Sequence, residues 1–402
     1  MFEALAPEAQ HPYSYRGFCQ AVRDYNANHP SEGIFIMGTE LQQRHELAAF
    51  LGNVLHESDE LKAGREYLMC ADQKFVGGEM YCKPCDMSGF DWETFTCTGE
   101  SLASEGRAFN GYCQSNLLPP DGCECDDVYE VSSDGEMAGF VKADKLYFGR
   151  GAIQLSWNYN YIKASVALTG HSQTFCQRPD WVATKEEYAW GAGLFYWMEN
   201  VKNDKTCHQA VLMHNEFGQT LDIINGGLEC PSDDHGWHGK AVQLRLNRYC
   251  RAATALGLDT LLSLDGCMDM DKKFVQCLKE GNCDACKVWE DKISLPDIST
   301  ILTVEEGGAT GNGPPTKKPT KKNNTMWRRC VPTLQILHSL VRVRTPAVQR
   351  QSVTMLPTHT DLMSSAADVS NDKAVECMNL VVSNEKLKCI QLQRHLGSWP
   401  KV

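Results

Sequence analysis

Cysteine constrains this chain more than anything else in it: of 19, 16 fall between Cys19 and Cys286. Thiols at that density in an acidic chain predict an oxidising compartment and long loops held by cross-links. The odd total predicts a free thiol or an intermolecular bond, with Cys330, Cys377 and Cys389 as candidates to carry it. Zinc is the rival account for Cys82-x-x-Cys85 and Cys283-x-x-Cys286. Neither pair has a second, evenly spaced pair with histidines at finger spacing, so no metal site is expected. The first residues lack the basic start and apolar run of a secretory leader. A secreted or extracellular protein is still the expectation, its leader removed or missed.

Charge narrows the partners. Lys plus Arg total 39 against 51 Asp plus Glu, a formal charge of −12. Nucleic acid is disfavoured, because phosphate binding needs a positive surface. No run of 18 apolar residues occurs, so no membrane span is expected. The aromatic residues and the clearest periodicity lie before residue 258. Residues 259–304 read as a small cysteine-rich appendage. Residues 305–325, rich in Gly, Pro, Thr and Lys without apolar anchors, read as a linker. Residues 326–402 show no sustained period and read as a basic tail, disordered or weakly folded. Asn323-Asn324-Thr325 beside the linker is a glycosylation sequon.

The first domain reads as mainly helical. Leu47, Leu51, Val54 and Leu55 recur at helical spacing in the run Glu40–His56. Trp157–Leu168 follows Ser156, a suitable N-cap, and stops at Thr169-Gly170. Glu186–Glu199, His208–Phe217 and Lys240–Leu256 are further helices. No βαβ rhythm, GxGxxG or phosphate loop appears.

Two clusters carry chemistry. The run Leu55–Tyr67 holds Glu57, Asp59, Glu60 and Glu66. Glu57 closes an apolar-striped helix, where partial desolvation raises a carboxyl pKa and suits it to give a proton. In one unbroken helix Glu66 would face the other way, and Gly64 offers a break that could swing it back. Two carboxyls about 6.5–9.5 Å apart are what an inverting glycosidase needs. A solvated helix end would hold the same acids. His56 and Glu60 give HExxE rather than the zinc-binding HExxH. In Phe148–Tyr161, Gln154, Ser156, Asn158 and Asn160 alternate with Leu155, Trp157 and Tyr159. Neutral amides and hydroxyls interleaved with rings suit a neutral sugar, although helix capping would use the same residues. A third fragment, Asp222–Cys230, sets Asn225 on a glycine-supported turn.

Together these fragments resemble the family 19 glycoside hydrolases, the plant-type endochitinases, over residues 12–257. The resemblance is carried by Ala48-Ala49-Phe50-Leu51 running to His56-Glu57, by Phe148-Gly149-Arg150-Gly151-Ala152-Ile153-Gln154-Leu155-Ser156-Trp157-Asn158-Tyr159-Asn160-Tyr161, and by Ile224-Asn225-Gly226-Gly227-Leu228-Glu229-Cys230. It implies a mainly α, bilobal, lysozyme-like domain over residues 1–258 with a deep cleft and long disulfide-linked loops. The substrate implied is chitin or chito-oligosaccharides, cut within the chain by an inverting two-carboxylate reaction. No cofactor is implied, and a monomer is expected. Peptidoglycan hydrolysis, or chitin binding with weak catalysis, are the alternatives.

By position Glu57 matches the general acid. Glu66 matches the general base of short-loop members and is preferred over Glu79, where longer-loop members place it. Ser156 matches the residue that holds the attacking water. Gln154, Tyr159, Asn160 and Asn225 match substrate-lining residues, and His56 and Trp157 are placed with them. Arg245 or Arg248 corresponds to an arginine near the base. The sequence departs from the family at Ser58-Asp59-Glu60, Ala152 and Ile162, and its segment 70–140 exceeds the plant-like loops and could extend or narrow the cleft.

Overall fold

The computed structural model describes residues 1–104, 111–114, 123–125, 131–132, 135–230, 237–281 and 283–292. All belong to one compact unit, Met1–Ser339, and the second unit, Leu340–Val402, lies outside them. The expected linker, tail and sequon therefore fall outside the described residues.

Among those residues the helices are α1 (Phe2–Leu5), α2 (Tyr15–Asn28), α3 (Glu40–Glu57), α4 (Asn158–Thr169), α5 (Thr174–Gln177), α6 (Trp181–Thr184), α7 (Glu186–Glu199), α8 (Cys207–His214), α9 (Gly218–Glu229), α10 (Trp237–Ala255) and α11 (Met270–Glu280). The mainly helical expectation holds. Helix α3 opens on Thr39, which forms a capping box with Gln42, and its apolar stripe is buried along its length. Helix α10 packs along α3, and α2 and α4 pack on α7. At the α3–α10 contact, a Cβ on Gly52 would stand 2.7 Å from the Tyr249 Cα, so only glycine admits this approach. The core is ring-rich: Phe50 meets Trp197 edge-on at 5.5 Å, and Phe18 meets Trp190 at 5.0 Å.

Boundaries moved where the chain chose another cap. Helix α4 starts one residue late, with Trp157 at φ 74° preceding it and no side chain capping it. The Ser156 hydroxyl, expected as the cap, donates instead to Gln154 O at 2.9 Å. Gly170, in the left-handed conformation, closes α4 where expected. Helix α8 stops at His214 because Asn215 turns left-handed.

Between α3 and α4 lie small sheets and cross-links. Strands β1 (Ala71–Val76), β2 (Glu79–Lys83) and β5 (Val141–Lys142) form one antiparallel sheet, ordered β1-β2-β5, while β3 (Phe90–Asp91) pairs with β4 (Thr96–Cys97). Gly77 and Gly78, both at positive φ, make the two-residue β1–β2 turn. Cys70–Cys82, Cys85–Cys97, Cys113–Cys125 and Cys123–Cys176 staple this region. Cys230–Cys267, Cys250–Cys286 and Cys277–Cys283 staple the far end, and Cys19 is also disulfide-bonded. Among the described residues the free thiol is Cys207, buried in the core, and the three tail cysteines lie outside those residues.

Residues 259–292 share the main core rather than building their own. Met270, Phe274, Cys283, Cys286 and Trp289 belong to the same cluster as Leu246 and Tyr249. Packing thus continues across residue 258.

Candidate active site

A cavity of about 890 Å³ opens where the end of α3, the loop before β1, the start of α4 and the middle of α9 converge. His56, Glu57, Glu66, Gln154, Ser156, Trp157, Tyr159, Asn160, Asn225 and Arg248 all line it. Residues scattered over nearly two hundred positions therefore meet at one wall.

Glu57 is the last residue of α3, and burial is the main reason its carboxyl titrates above the usual carboxylate range. Its partner comes from α10. Arg245, Arg248 and Arg251 sit three residues apart, so they share one face of α10, and that face meets the C-terminal end of α3 and the turn after it. Arg245 Nη2 donates to Glu57 Oε1 at 2.5 Å. It also clamps the fully buried Glu229 through Nε and Nη2, both at 2.7 Å. One cation thus serves two carboxylates, and a proton is favoured on one of them. Glu229 has the two-point clamp and a further donor, Asn225 Nδ2 at 2.7 Å. The Glu229 charge raises the Glu57 pKa. The sequence expectation put Arg245 or Arg248 near the base; the structure pairs Arg245 with Glu57 and Arg248 with Glu60. Arg248 and Arg251 hold Glu60 at 3.3 and 2.7 Å. Two of the four clustered acids, Asp59 and Glu60, are thereby ordinary ion-pair and turn residues: Asp59 accepts from the Tyr67 hydroxyl at 3.3 Å.

Gly64 does not make the bend. The helix ends at Glu57 with Ser58 as its cap, and Asp59, Glu60 and Leu61 follow in succession at positive φ, reversing the chain. Gly64 instead admits close packing, since its Cβ would stand 2.9 Å from Ala183 O. The reversal lays Gly64–Glu66 antiparallel to Gly149–Gly151, with Glu66 N donating to Gly149 O at 2.9 Å and Gly151 N to Gly64 O at 3.0 Å. Gly149 N in turn donates to Glu66 Oε2 at 3.2 Å, and the Tyr112 hydroxyl donates to Oε1 at 3.3 Å. A Cβ on Gly149 would press on Gln154 and on the Glu66 carboxylate. The Gly-Arg-Gly stretch is thus the rail on which Glu66 is mounted. Arg150 between the glycines is fully buried and shares Asp180 with Arg65, which grips that carboxylate at 2.7 and 2.6 Å. Burial raises the Glu66 pKa above its usual range, opposed by the Gly149 and Tyr112 hydrogen bonds.

Around the two carboxyls, Asn160 Nδ2 donates to Ser156 O at 3.0 Å and Gln154 Nε2 to Gly151 O at 3.0 Å. The His56 ring is held neutral, well below its usual pKa, by burial and the Arg245 and Arg248 charges, and its Nδ1 has no partner. Asn225 breaks α9 with φ −145° and points into the cavity wall. Asn158, one of the alternating amides, does not join them. It is buried and ties to Gln114 N, Gln114 O and Cys123 O, all at 3.2 Å. Glu79 lies on β2, half exposed, paired with Lys142 at 3.2 Å, and does not line the cavity.

Sequence reasoning passed over Glu229, Tyr112, Tyr196 and the group Met87, Trp92 and Phe95. Glu229 follows Asn225 by four, a spacing that puts both on one helical face. Nothing in the spacing of the others points to a cleft.

Against known proteins, the sequence model of the family described as chitinase class I matches residues 87–266. Over that stretch the chain is similar to the family 19 glycoside hydrolases. The matched stretch takes in the family's Phe148–Tyr161 and Ile224–Cys230 and begins after Glu57 and Glu66. Endochitinase 1 of Theobroma cacao is 26% identical over 267 residues, 63% of this chain and 64% of that protein, so the chain spans less than two thirds of that relative's length. The acidic endochitinase SP2 of Beta vulgaris is 36% identical over 110 residues, 27% of this chain and 33% of that one. The crystal structure of chitinase C from Streptomyces griseus HUT6037 aligns with a TM-score of 0.43 at 26% identity, covering 65% of this chain and 77% of that chain.

Proposed function

We propose that this protein is an endo-acting chitinase, a secreted glycoside hydrolase that cuts β-1,4-linked N-acetylglucosamine chains by single displacement with inversion. The observation that carries the reading is two buried carboxyls, Glu57 and Glu66, in one cleft, each with a raised pKa but with different partners. Neutral amides and rings around them suit an uncharged sugar.

Glu57, protonated because it shares Arg245 with Glu229, gives its proton to the leaving glycosidic oxygen. A water on the opposite face of the sugar donates one proton to Glu66. Its second proton points to Ser156 Oγ, whose own proton is spent on Gln154 O, so the hydroxyl accepts. The water is left with a lone pair aimed at the anomeric carbon. As the leaving oxygen departs, the oxocarbenium-like centre lies near the Glu66 carboxylate. The turnover ends with Glu57 ionised and Glu66 protonated, and solvent restores both. Gln154, Tyr159, Asn160, Asn225, His56 and Trp157 line the sugar sites in this reading.

The purified protein is incubated with chito-oligosaccharides and, separately, with peptidoglycan, while NMR follows the anomer first released. The α anomer from chito-oligosaccharide is expected. Initial β product would overturn inversion, and release from peptidoglycan alone would make the protein a muramidase. Binding without release would leave a chitin-binding protein.

A further inference from the structure

We propose that the hairpin closed by Cys85–Cys97 is a sugar-binding shelf, on which a pyranose ring of the bound strand stacks against Trp92 and Phe95. This rests on the carbohydrate reading above and extends it to a stretch outside the three fragments that carry the family resemblance. The same cavity is lined by Glu66, Tyr67 and Leu68 and by Met87, Trp92 and Phe95. Those last three side chains are 57%, 48% and 39% exposed. Exposed rings are common singly, but three large exposed apolar side chains lining one cavity mark a contact surface.

The rings are set before any ligand arrives. Phe90, with Cys85, Cys97 and Ala71, forms a small buried core beneath the hairpin. Trp92 stands edge-on against Phe90 at 4.6 Å, and Phe95 packs on Tyr67 at 4.1 Å. The Asp91 carboxylate accepts from Glu93 N at 2.8 Å and Thr94 N at 3.3 Å, which fixes the turn between the strands. Phe95 itself is held at φ 55°, a conformation a bulky residue adopts only when its surroundings impose it. A shelf already ordered loses little freedom on binding. Its occupant must be uncharged and flat on one side, with a polar rim left in water, which describes a pyranose ring. Tyr67 directly follows Glu66, so the shelf continues the cleft on the base side and lengthens the strand the site can hold.

The test compares Trp92→Ala, Trp92→Ala with Phe95→Ala, and Trp92→Phe against the unaltered chain on chitotetraose and chitohexaose, with circular dichroism as a folding check. For the hexamer kcat/KM should fall about tenfold or more in the alanine variants, chiefly through KM, while the tetramer changes by less than about twofold. Trp92→Phe should keep most of the hexamer activity. Equal losses on both lengths, or no loss on either, would overturn the shelf. Failure of the unaltered chain to cleave either oligomer would overturn the hydrolase reading instead. Binding then decides the shelf directly: the hexamer is titrated into Glu57→Gln, with and without Trp92→Ala, by calorimetry. The alanine should weaken binding about tenfold, and unchanged affinity would end the proposal.

Discussion

Glu57 and Glu66 stand nine positions apart in the sequence and are held by opposite means. Glu57 ends a long helix and faces a cation on another helix, a cation that already serves the buried Glu229. Glu66 sits on an irregular segment and is held by a backbone N–H and a phenol, with the nearest arginines turned towards Asp180. Burial raises both carboxyls, yet their partners differ in kind. The Glu57 side is governed by competition between charges, and the Glu66 side by neutral hydrogen bonds that favour the ionised form. Two chemically similar side chains are thereby suited to opposite halves of one proton transfer.

The most severe way to break this contrast is to make each carboxyl an amide. Glu57→Gln should lower kcat about 10³-fold or more, and Glu66→Gln about 10²-fold, within the usual range for general acids and bases. Azide should restore turnover to Glu66→Gln alone, because a small anion needs no base but still needs an acid at the leaving oxygen. Rescue of Glu57→Gln instead would reverse the roles.

The contrast is sharpened at Glu229. In Glu229→Gln the whole of Arg245 falls to Glu57, and the carboxylate that raises Glu57 is gone. The Glu57 pKa should therefore drop, and the alkaline limb of the kcat/KM profile should move to lower pH while the acid limb stays. An unmoved alkaline limb would show that Glu229 only holds α10 in place.

Stability gives a smaller effect with its own sign. Glu66 titrates higher folded than unfolded, so the folded chain binds the extra proton between the two values. Its contribution is full below the unfolded pKa and is lost as pH rises through the folded one. Glu66→Gln removes that loss. Its Tm should exceed the unaltered chain's by roughly 2–4 °C at pH 8, with the gap closing towards pH 4. A gap that widens on acidification would contradict the burial argument. Least of all should Glu79→Gln matter, with kcat within about twofold, since that side chain lies on the sheet with Lys142. A loss like that of Glu66→Gln would move the base to β2.

Much of this was legible beforehand, and unevenly so. The stripe of α3, the limits of α7 and the stop at Gly170 follow from periodicity and capping, which are local properties. The meeting of Glu57, Ser156 and Asn225 came through resemblance of three fragments, because no spacing reports a contact across a fold. What was misplaced depended on alternatives close in energy. Ser156 could cap a helix or bond Gln154 O, and the chain could turn at Gly64 or at three non-glycine residues. Asn158 looked like its neighbours in alternation, but the onset of α4 at that position turned it inward. The hairpin rings were invisible, since nothing local tells an aromatic residue in a cysteine-rich loop which cavity it will border.

Three of the cross-links, Cys70–Cys82, Cys85–Cys97 and Cys113–Cys125, each close a span of 12 residues. A loop fastened to itself transmits little of its own sequence to the rest of the chain, because its ends remain together whatever lies between them. Such loops can be lengthened, shortened or rewritten in descent while α3, α10 and the two carboxyls keep their positions. A change written inside such a loop, as at Trp92 or Phe95, then reshapes the cavity's edge and leaves the seats of Glu57 and Glu66 as they are.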